Sequence, residues 1–257
     1  MPMDRRSMIA GSLALAAGLA LPASRAGAQV RTGVRTRNIV LVHGLYADGS
    51  CWSDVIALLQ RAGLNATAVQ NPLTGFAESV AATQRVIARQ DGPVVLVGHS
   101  FAGMIISEAG VDPKVSALVY VAARAPDAGE DYAALAKRFP APPASAGIIY
   151  DGDEGRLSEE SFLRDFAGDL PPERARVLCA VQQPFNRALL SARTTNAAWR
   201  AKPSYYAVSA QDRTIDPDLE RFMAQRMGAH TITLEASHLS LISHPEKIAG
   251  LILKAAG

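Results

Sequence analysis

The chain has 257 residues, of which 49% are apolar, and this is enough for one large α/β domain or for one domain with an insertion. The formal net charge is +2, and residues 1–28 account for it through Arg5, Arg6 and Arg25 against Asp4. The rest of the chain is therefore about neutral and has no block of Lys or Arg, so we expect neither nucleic acid nor an anionic membrane surface as a partner.

Residues 1–28 have the pattern of an export signal. Paired arginines precede an uncharged Ala/Leu/Gly stretch over 9–23, and the small residues 26–28 are typical of a cleavage site. This order is typical of twin-arginine export, with a Sec-type signal or a retained anchor as alternatives. We expect export machinery as a partner, cleavage near residue 28, a periplasmic or secreted protein of residues 29–257, and no stable membrane insertion after cleavage.

Strands and helices alternate through the first half of the mature chain. Continuous apolar runs of strand length are typical of buried parallel strands. The runs and the helical patterns between them predict strands over 38–42, 67–69, 94–97 and 115–121, and helices over 52–62, 76–90 and from about 105. This alternation predicts an α/β fold with a mostly parallel central sheet flanked by helices.

The alternation is lost from about residue 124 to about residue 200, where prolines recur and helical patterns are short, as over 161–167 and 173–181. We interpret this stretch as a helical cap inserted between strands of the sheet. Its aromatic residues either line a lid over a site or form the insertion's own core, and the second is expected for most of them. These residues are Phe139, Tyr150, Phe162, Phe166 and Phe185. We expect three arginines of this stretch, Arg124, Arg164 and Arg187, to face solvent rather than a pocket.

The α/β alternation then resumes, with strands predicted over 204–208 and 231–234, a helix over 219–227 that starts at Asp216-Pro217, and a last helix over 247–255. Cys51 and Cys179 are far apart and lack the spacing of zinc ligands, so we expect two buried free thiols, with a disulfide as the alternative.

Ser100 follows the apolar run of residues 94–97, and small residues then open a helix. A strand, a sharp turn and a helix place a serine hydroxyl at the top of a sheet, where it is exposed for attack. A serine needs a base, and the base needs an acid that fixes its tautomer. The pattern therefore predicts a nucleophile only if later strands supply those partners.

Asp212 and His238 each follow a later strand, in the chain order Ser, Asp, His that this turn requires. Asp216 is the rival acid, but it directly precedes Pro217 and has the position of a helix N-cap. Four other histidines compete for the role of base. We expect His43 and His99 to orient loops, His230 to be exposed, and His244 to begin a helix.

An oxyanion hole needs two backbone N–H groups. One is that of Phe101, which follows the nucleophile. The turn His43-Gly44-Leu45 after the first strand supplies the N–H of Leu45, and Gly44 lets the backbone approach closely.

These features together resemble the α/β-hydrolase superfamily, and most of all its small bacterial esterase-like members related to plant methylesterases and hydroxynitrile lyases. The resemblance is carried by Val42-His43-Gly44 with Trp52 downstream, the run Gly98–Gly103, Asp212 and Ser237-His238, and it spans the chain from about residue 37. It implies Ser100 as the nucleophile, His238 as the base, Asp212 as its orienting acid, Leu45 and Phe101 as oxyanion donors, and the insertion as a cap.

One residue departs from the family pattern. Ala102 stands where the turn usually has Gly, which predicts a slightly wider turn with activity retained. The resemblance implies a serine hydrolase that cleaves small carboxylic esters through an acyl-enzyme, without a cofactor or a metal. We expect small, apolar or aromatic esters as substrates.

Two other functions stay open. One is a carbon–carbon lyase of the hydroxynitrile type, but such relatives carry a lysine directly after the catalytic histidine, where this chain has Leu239. The other is a non-catalytic ligand-binding member of the fold, which often lacks a triad residue.

Overall fold

The computed structural model describes residues 36–257. Its strands are β1 (Asn38–Val42), β2 (Asn65–Val69), β3 (Val94–His99), β4 (Val115–Val121), β5 (Ile148–Asp151), β6 (Glu154–Leu157), β7 (Phe185–Asn186), β8 (Ser204–Ser209) and β9 (His230–Leu234). Its α-helices are α1 (Ser53–Arg61), α2 (Phe76–Ala88), α3 (Ala102–Ala109), α4 (Tyr132–Ala136), α5 (Glu159–Ser161), α6 (Pro172–Ala180), α7 (Pro217–Arg226), α8 (Ser240–Ser243) and α9 (Pro245–Ala256). The export signal predicted for residues 1–28 lies outside the described residues.

Six strands form one parallel sheet in the order β2-β1-β3-β4-β8-β9. This confirms the predicted fold class. Because all six strands run the same way, their carboxyl ends meet at one edge of the sheet. The register brings Val42 opposite Gly98 and His99 opposite Val121, so the loops after β1, β3 and β4 adjoin.

Burial follows the sequence pattern of each strand. The central strands β1 and β3 are buried along their whole length, because α1, α9, α2 and α3 pack over the sheet. The edge strand β9 is largely exposed and the edge strand β2 is largely half-buried, and threonines occupy several of their positions. Apolar runs therefore mark the centre of the sheet, and mixed runs mark its edges.

The segment between β4 and β8 connects two neighbouring strands of the main sheet. It contains α4, α5 and α6, and also a three-stranded antiparallel sheet, β5-β6-β7, that the sequence patterns did not predict. Those strands have two to four residues each, too few to show a regular alternation. The helix predicted over 161–167 forms as the short α5 followed by a π turn over Phe162–Phe166.

Both cysteines are free thiols, as predicted. Cys51 is buried, and burial raises the pKa of its thiol. Cys179 differs from the expectation because it is only half-buried. Within residues 36–257, none of the helices combines the length and the apolar content needed to cross a bilayer.

Candidate active site

Ser100 lies at the tip of the turn between β3 and α3. Its φ is 56°, in the left-handed region that non-glycine residues rarely adopt. Three hydrogen bonds hold this conformation: the Ser100 N–H donates to the Val121 carbonyl at 3.1 Å, and the N–H groups of Gly103 and Arg124 donate to the Ser100 carbonyl at 3.0 Å. The loop after β4 therefore fixes the strained turn that presents the serine.

The start of α3 packs tightly against that same loop. A methyl group on Gly103 would collide with the Arg124 carbonyl oxygen, so glycine is required at this position. Ala102, which departs from the family pattern, is fully buried at the first position of α3. The slight widening of the turn expected from its methyl group stays a prediction.

Asp212 and His238 form a buried pair. His238 Nδ1 donates to Asp212 Oδ2 at 2.5 Å, while Asp212 Oδ1 accepts from the N–H groups of Thr214 at 2.7 Å and Ile215 at 3.0 Å. His238 is fully buried and Asp212 is 5% exposed. Because Nδ1 carries the proton in this arrangement, Nε2 presents a lone pair, which is the state a general base requires.

The rival carboxylate has a different role. Asp216 Oδ1 accepts from the N–H groups of Asp218 at 2.9 Å and Leu219 at 3.3 Å, so it caps α7. Of the two aspartates that the sequence offered, the structure therefore brings only Asp212 onto His238.

Ser100 Oγ and His238 Nε2 are not hydrogen-bonded to each other. Within residues 36–257, His238 Nε2 has no hydrogen-bond partner, and Ser100 Oγ bonds to none of these residues either. His238 is nevertheless placed at the serine turn, because its ring centroid lies 4.7 Å from that of His99. Catalytic hydrogen bonds often become short and well aligned only when a substrate is bound.

Gly44 brings the first loop onto the serine turn. A methyl group on Gly44 would lie 2.7 Å from Ser100 Cβ and 3.2 Å from the Phe101 nitrogen. The pairing of Val42 with Gly98 produces this approach, because it sets the residues after both strands side by side. Leu45 directly follows this contact, and its role as an oxyanion donor together with Phe101 stays a prediction.

Two buried histidines hold the loops, as the sequence predicted. His43 Nε2 accepts from the Asn71 N–H at 2.9 Å, so Nδ1 carries the proton and donates to the Gly44 carbonyl at 2.9 Å. His99 Nε2 donates to the His238 carbonyl at 3.0 Å. Burial lowers the pKa of both rings, so each stays neutral in one tautomer.

The remaining histidines lie away from this pair. His230 is exposed at the start of β9, and His244 precedes α9 with Nδ1 2.9 Å from Ser243 Oγ. Both positions agree with the sequence-based expectation.

Glu220 is a residue that the sequence analysis missed. It is fully buried on α7, where the Ser209 N–H donates to its Oε2 at 3.1 Å, and its Oε1 has no donor among residues 36–257. Burial, and then the adjacent charge of Asp212, raise the pKa of Glu220 well above its usual value. Both effects favour the neutral form of the Glu220 carboxyl. Its position beside the apolar Leu219 and Met223 was the available sequence signal.

Aromatic side chains cover the pair. The ring centroid of Phe166 lies 5.2 Å from that of His238 and 5.6 Å from that of Tyr46. Phe162 packs against Phe166, and Phe185 packs against Tyr46. The aromatic residues of the insertion were expected either to line a lid over a site or to form the insertion's own core. Phe166 fits the first alternative, because it lies over His238.

The other aromatics of the insertion lie farther out. Tyr150 is 40% exposed, and Phe139 packs against Phe222 of α7. Neither is in ring contact with His238, so these two do not cover the acid–base pair.

Residues 39–251 match the model of a family described as the alpha/beta hydrolase family. The rice protein "Esterase PIR7B" from Oryza sativa subsp. japonica is 24% identical over 256 residues, which cover 86% of this chain and 96% of the rice protein. A "Pyrethroid hydrolase" of Sphingobium wenxiniae is 25% identical over 244 residues, which cover 84% of this chain and 86% of that protein.

The crystal structure of polyneuridine aldehyde esterase shares the fold, with a TM-score of 0.73 at 20% identity over 86% of this chain and all of that one. These names agree with the predicted class of enzyme, a carboxylic ester hydrolase. The fold, the serine turn and the family match over most of the chain lead to one conclusion: the chain belongs to the alpha/beta hydrolase family.

Proposed function

We propose that this protein hydrolyses small carboxylic esters through an acyl-enzyme formed on Ser100. One observation carries the proposal: a buried His238–Asp212 pair, whose Nε2 has no partner among residues 36–257 and whose ring packs on His99, the residue before a serine held in a left-handed turn. A neutral imidazole with its Nδ1 proton committed to a carboxylate is suited to accept a proton at Nε2. The relatives that are named esterases support the same reaction. Their individual substrates are not transferred to this protein.

The first half-reaction uses the groups in turn. Ser100 Oγ rotates toward Nε2 and attacks the ester carbonyl carbon while its proton passes to His238. The carbonyl oxygen gains the negative charge and accepts hydrogen bonds from the N–H groups of Leu45 and Phe101. His238 then gives the proton to the departing alkoxide, and the alcohol leaves. Asp212 stabilises the transient imidazolium.

The second half-reaction releases the acid. A water molecule gives a proton to His238 and attacks the acyl carbon, and the proton then returns to Ser100 Oγ as the carboxylic acid leaves. Phe166 and Tyr46 exclude bulk water around the histidine, which strengthens the electrostatic interactions in the site.

The decisive experiment compares Ser100→Ala with wild type on a short p-nitrophenyl ester. We expect a loss of about 10⁴-fold or more in kcat with an unchanged melting temperature. A fluorophosphonate probe should label wild type at Ser100 and leave Ser100→Ala unlabelled. Ser53→Ala, which alters an exposed serine at the start of α1, is the matched control. Full activity in Ser100→Ala would refute the proposal.

The same preparations separate the two alternatives. Cleavage of mandelonitrile without ester hydrolysis would favour a lyase, and a probe that fails to label wild type would favour a ligand-binding protein. Leu239, which follows the proposed base, is buried and apolar and offers no ammonium group for a cyanide leaving group.

We also propose that residues 1–28 direct twin-arginine export, so that the enzyme acts in the periplasm or outside the cell. The paired arginines at positions 5 and 6 and the small residues at 26–28 support this. The intact mass of the protein in a periplasmic fraction tests it, because cleavage near residue 28 removes a defined mass. Replacing both arginines by lysine should leave the protein in the cytoplasm.

A further inference from the structure

Arg124 has an unusual environment for an arginine. It and Arg226 are the arginines of residues 36–257 that are not exposed. Arg226 pairs with Glu130 at 2.9 Å and also donates to the Ala125 carbonyl. Arg124 has no carboxylate of the described residues within 4.0 Å, and its side chain donates no hydrogen bond to any of them. Its Nε is buried and unpartnered.

This corrects the expectation that the arginines of the insertion face solvent. Arg164 and Arg187 are exposed, as expected. Arg124 instead stacks on two rings, with Cζ 4.6 Å from the Tyr132 centroid and 5.5 Å from the Phe101 centroid. Ring faces stabilise a cation only in part, and they leave the N–H groups at the edge of the guanidinium without acceptors.

The backbone of Arg124 is fixed beside the nucleophile. Its N–H donates to the Ser100 carbonyl, and its carbonyl packs against Gly103. The preceding residue, Ala123, is held by Tyr206, whose hydroxyl bonds to both its N–H and its carbonyl. Arg124 therefore keeps its position relative to Ser100, as a residue that orients a substrate must.

The side chain lines a cavity of about 210 Å³. Thr214 and Ile215, whose N–H groups bind Asp212, form another part of the wall. The cavity therefore lies against the Asp212 loop, and Arg124 connects it to the serine turn through the hydrogen bond from its backbone N–H to the Ser100 carbonyl. Tyr132 and Leu190 add apolar surface. The carboxylate of Asp216 is also in the wall, but its Oδ1 is occupied by the N–H groups that begin α7.

We propose that Arg124 binds a carboxylate carried by the ester substrate, so that the enzyme prefers monoesters of dicarboxylic acids and related anionic esters. This inference rests on the ester hydrolysis proposed above and goes beyond the small, apolar or aromatic esters expected from the sequence. The guanidinium supplies paired N–H donors to the two carboxylate oxygens, and the cavity holds the aliphatic linker to the ester at Ser100.

The test uses a series of methyl esters that runs from monomethyl succinate to monomethyl suberate. Each ester is paired with the amide in which its free carboxylate is replaced by a neutral carboxamide of the same size. In the pair whose length fits the site best, wild type should have a higher kcat/KM for the ester that carries a carboxylate than for the ester that carries a carboxamide. Arg124→Gln should reduce that preference by about 10- to 100-fold, mainly through KM, because a hydrogen bond to a charged group is lost. Arg124→Lys should retain part of the preference, and Arg187→Gln should retain all of it.

A binding measurement separates this inference from the proposed reaction. Adipate should bind to Ser100→Ala in calorimetry, and the additional change Arg124→Gln should weaken binding by a similar factor. Arginine-dependent adipate binding in a protein that hydrolyses no ester would overturn the reaction and support the carboxylate site. Ester hydrolysis with equal kcat/KM for acid and amide in wild type, or an equal loss on both in Arg124→Gln, would overturn the carboxylate site and leave the reaction standing.

Discussion

His99 Nε2 donates a hydrogen bond to the main-chain carbonyl of His238 at 3.0 Å, so the residue before Ser100 holds the loop that carries the proposed base. His99→Ala should lower kcat by about tenfold, because a shift of the base by a fraction of an ångström misaligns proton transfer. His99→Gln, which keeps an N–H donor of similar reach, should recover part of the loss. Equal rates for the two variants, measured with protein of verified melting temperature, would contradict this role.

Gly44→Ala should remove most of the activity. The added methyl group would lie 2.7 Å from Ser100 Cβ and 2.8 Å from the His99 carbonyl oxygen, so the first loop must move away from the serine turn. Losing one oxyanion donor costs about 10²- to 10³-fold in kcat. Gly250→Ala is the matched control, because nothing lies within 4 Å of its added methyl group on α9. A Gly44→Ala enzyme with wild-type kcat would show that the close approach is not needed.

The two aspartates after β8 should respond differently to the same change. Asp212→Asn should reduce kcat by about 10³- to 10⁴-fold, because an amide cannot stabilise the imidazolium and disturbs the tautomer of His238. Asp216→Asn should keep near-normal kcat, because asparagine also caps helices. Steady-state rates and melting curves of both variants check this. A larger loss of kcat in Asp216→Asn than in Asp212→Asn would show that Asp212 is not the acid.

Glu220→Gln should remove a pH dependence of stability. The folded protein keeps the proton on Glu220 because burial raises its pKa, whereas the unfolded chain releases it above pH about 4.3. The free energy of unfolding of wild type should therefore fall relative to Glu220→Gln as the pH rises above that value, by up to about 1.4 kcal/mol per pH unit.

Urea unfolding of both proteins from pH 4 to pH 8 measures this difference. Glu246→Gln, at an exposed position of α9, is the control. Parallel curves for wild type and Glu220→Gln would mean that Glu220 is ionised in the folded protein.

Asp165 should contribute a pH dependence of stability that is opposite in sign to that of Glu220. Its hydrogen bonds with Arg164, and then those with Arg213 and Ser161, lower its pKa to about 2 against the opposing effect of burial. The ionised group therefore stabilises the fold above pH about 4, and this contribution is lost as the pH falls toward 2.

Asp165→Asn should therefore unfold at a lower temperature than wild type at pH 7, and the difference should shrink as the pH falls from 4 to 2. Differential scanning calorimetry checks this. Asp218→Asn, which breaks an exposed pair with Arg221, should cause little change at any pH.

The residues that end strands were the most predictable part of the site. Apolar runs defined β1, β3 and β4, and parallel strands bring their carboxyl ends to one edge, so Ser100 and the turn His43-Gly44-Leu45 could be placed at the same edge from sequence. Asp212 and Asp216 could be separated because Pro217 marks a helix start. These inferences depend on local patterns, which a single sequence contains.

Contacts between distant segments could not be read in the same way. The environment of Arg124 depends on the rings of Tyr132 and Phe101, which are distant or unrelated in the sequence pattern, so its sequence neighbours gave no sign that it is half-buried against them. Glu220 reaches Asp212 only through the packing of α7 on β8. The small sheet β5-β6-β7 was missed because its strands are too short to show a period.

The segment of residues 122–203 leaves β4 and returns to β8, and Leu118 pairs with Ser204 where those strands adjoin. Because β4 and β8 are parallel, its two junctions are three residues apart along the strands and one strand spacing apart across them, roughly 11 Å in all. A chimaera that exchanges this whole stretch for that of a relative has only two nearby joints to match. Evolution has had the same freedom: recognition of new molecules can arise by replacing a single continuous piece of chain, while the proposed Ser100, Asp212 and His238 stay on the parts of the chain that are kept.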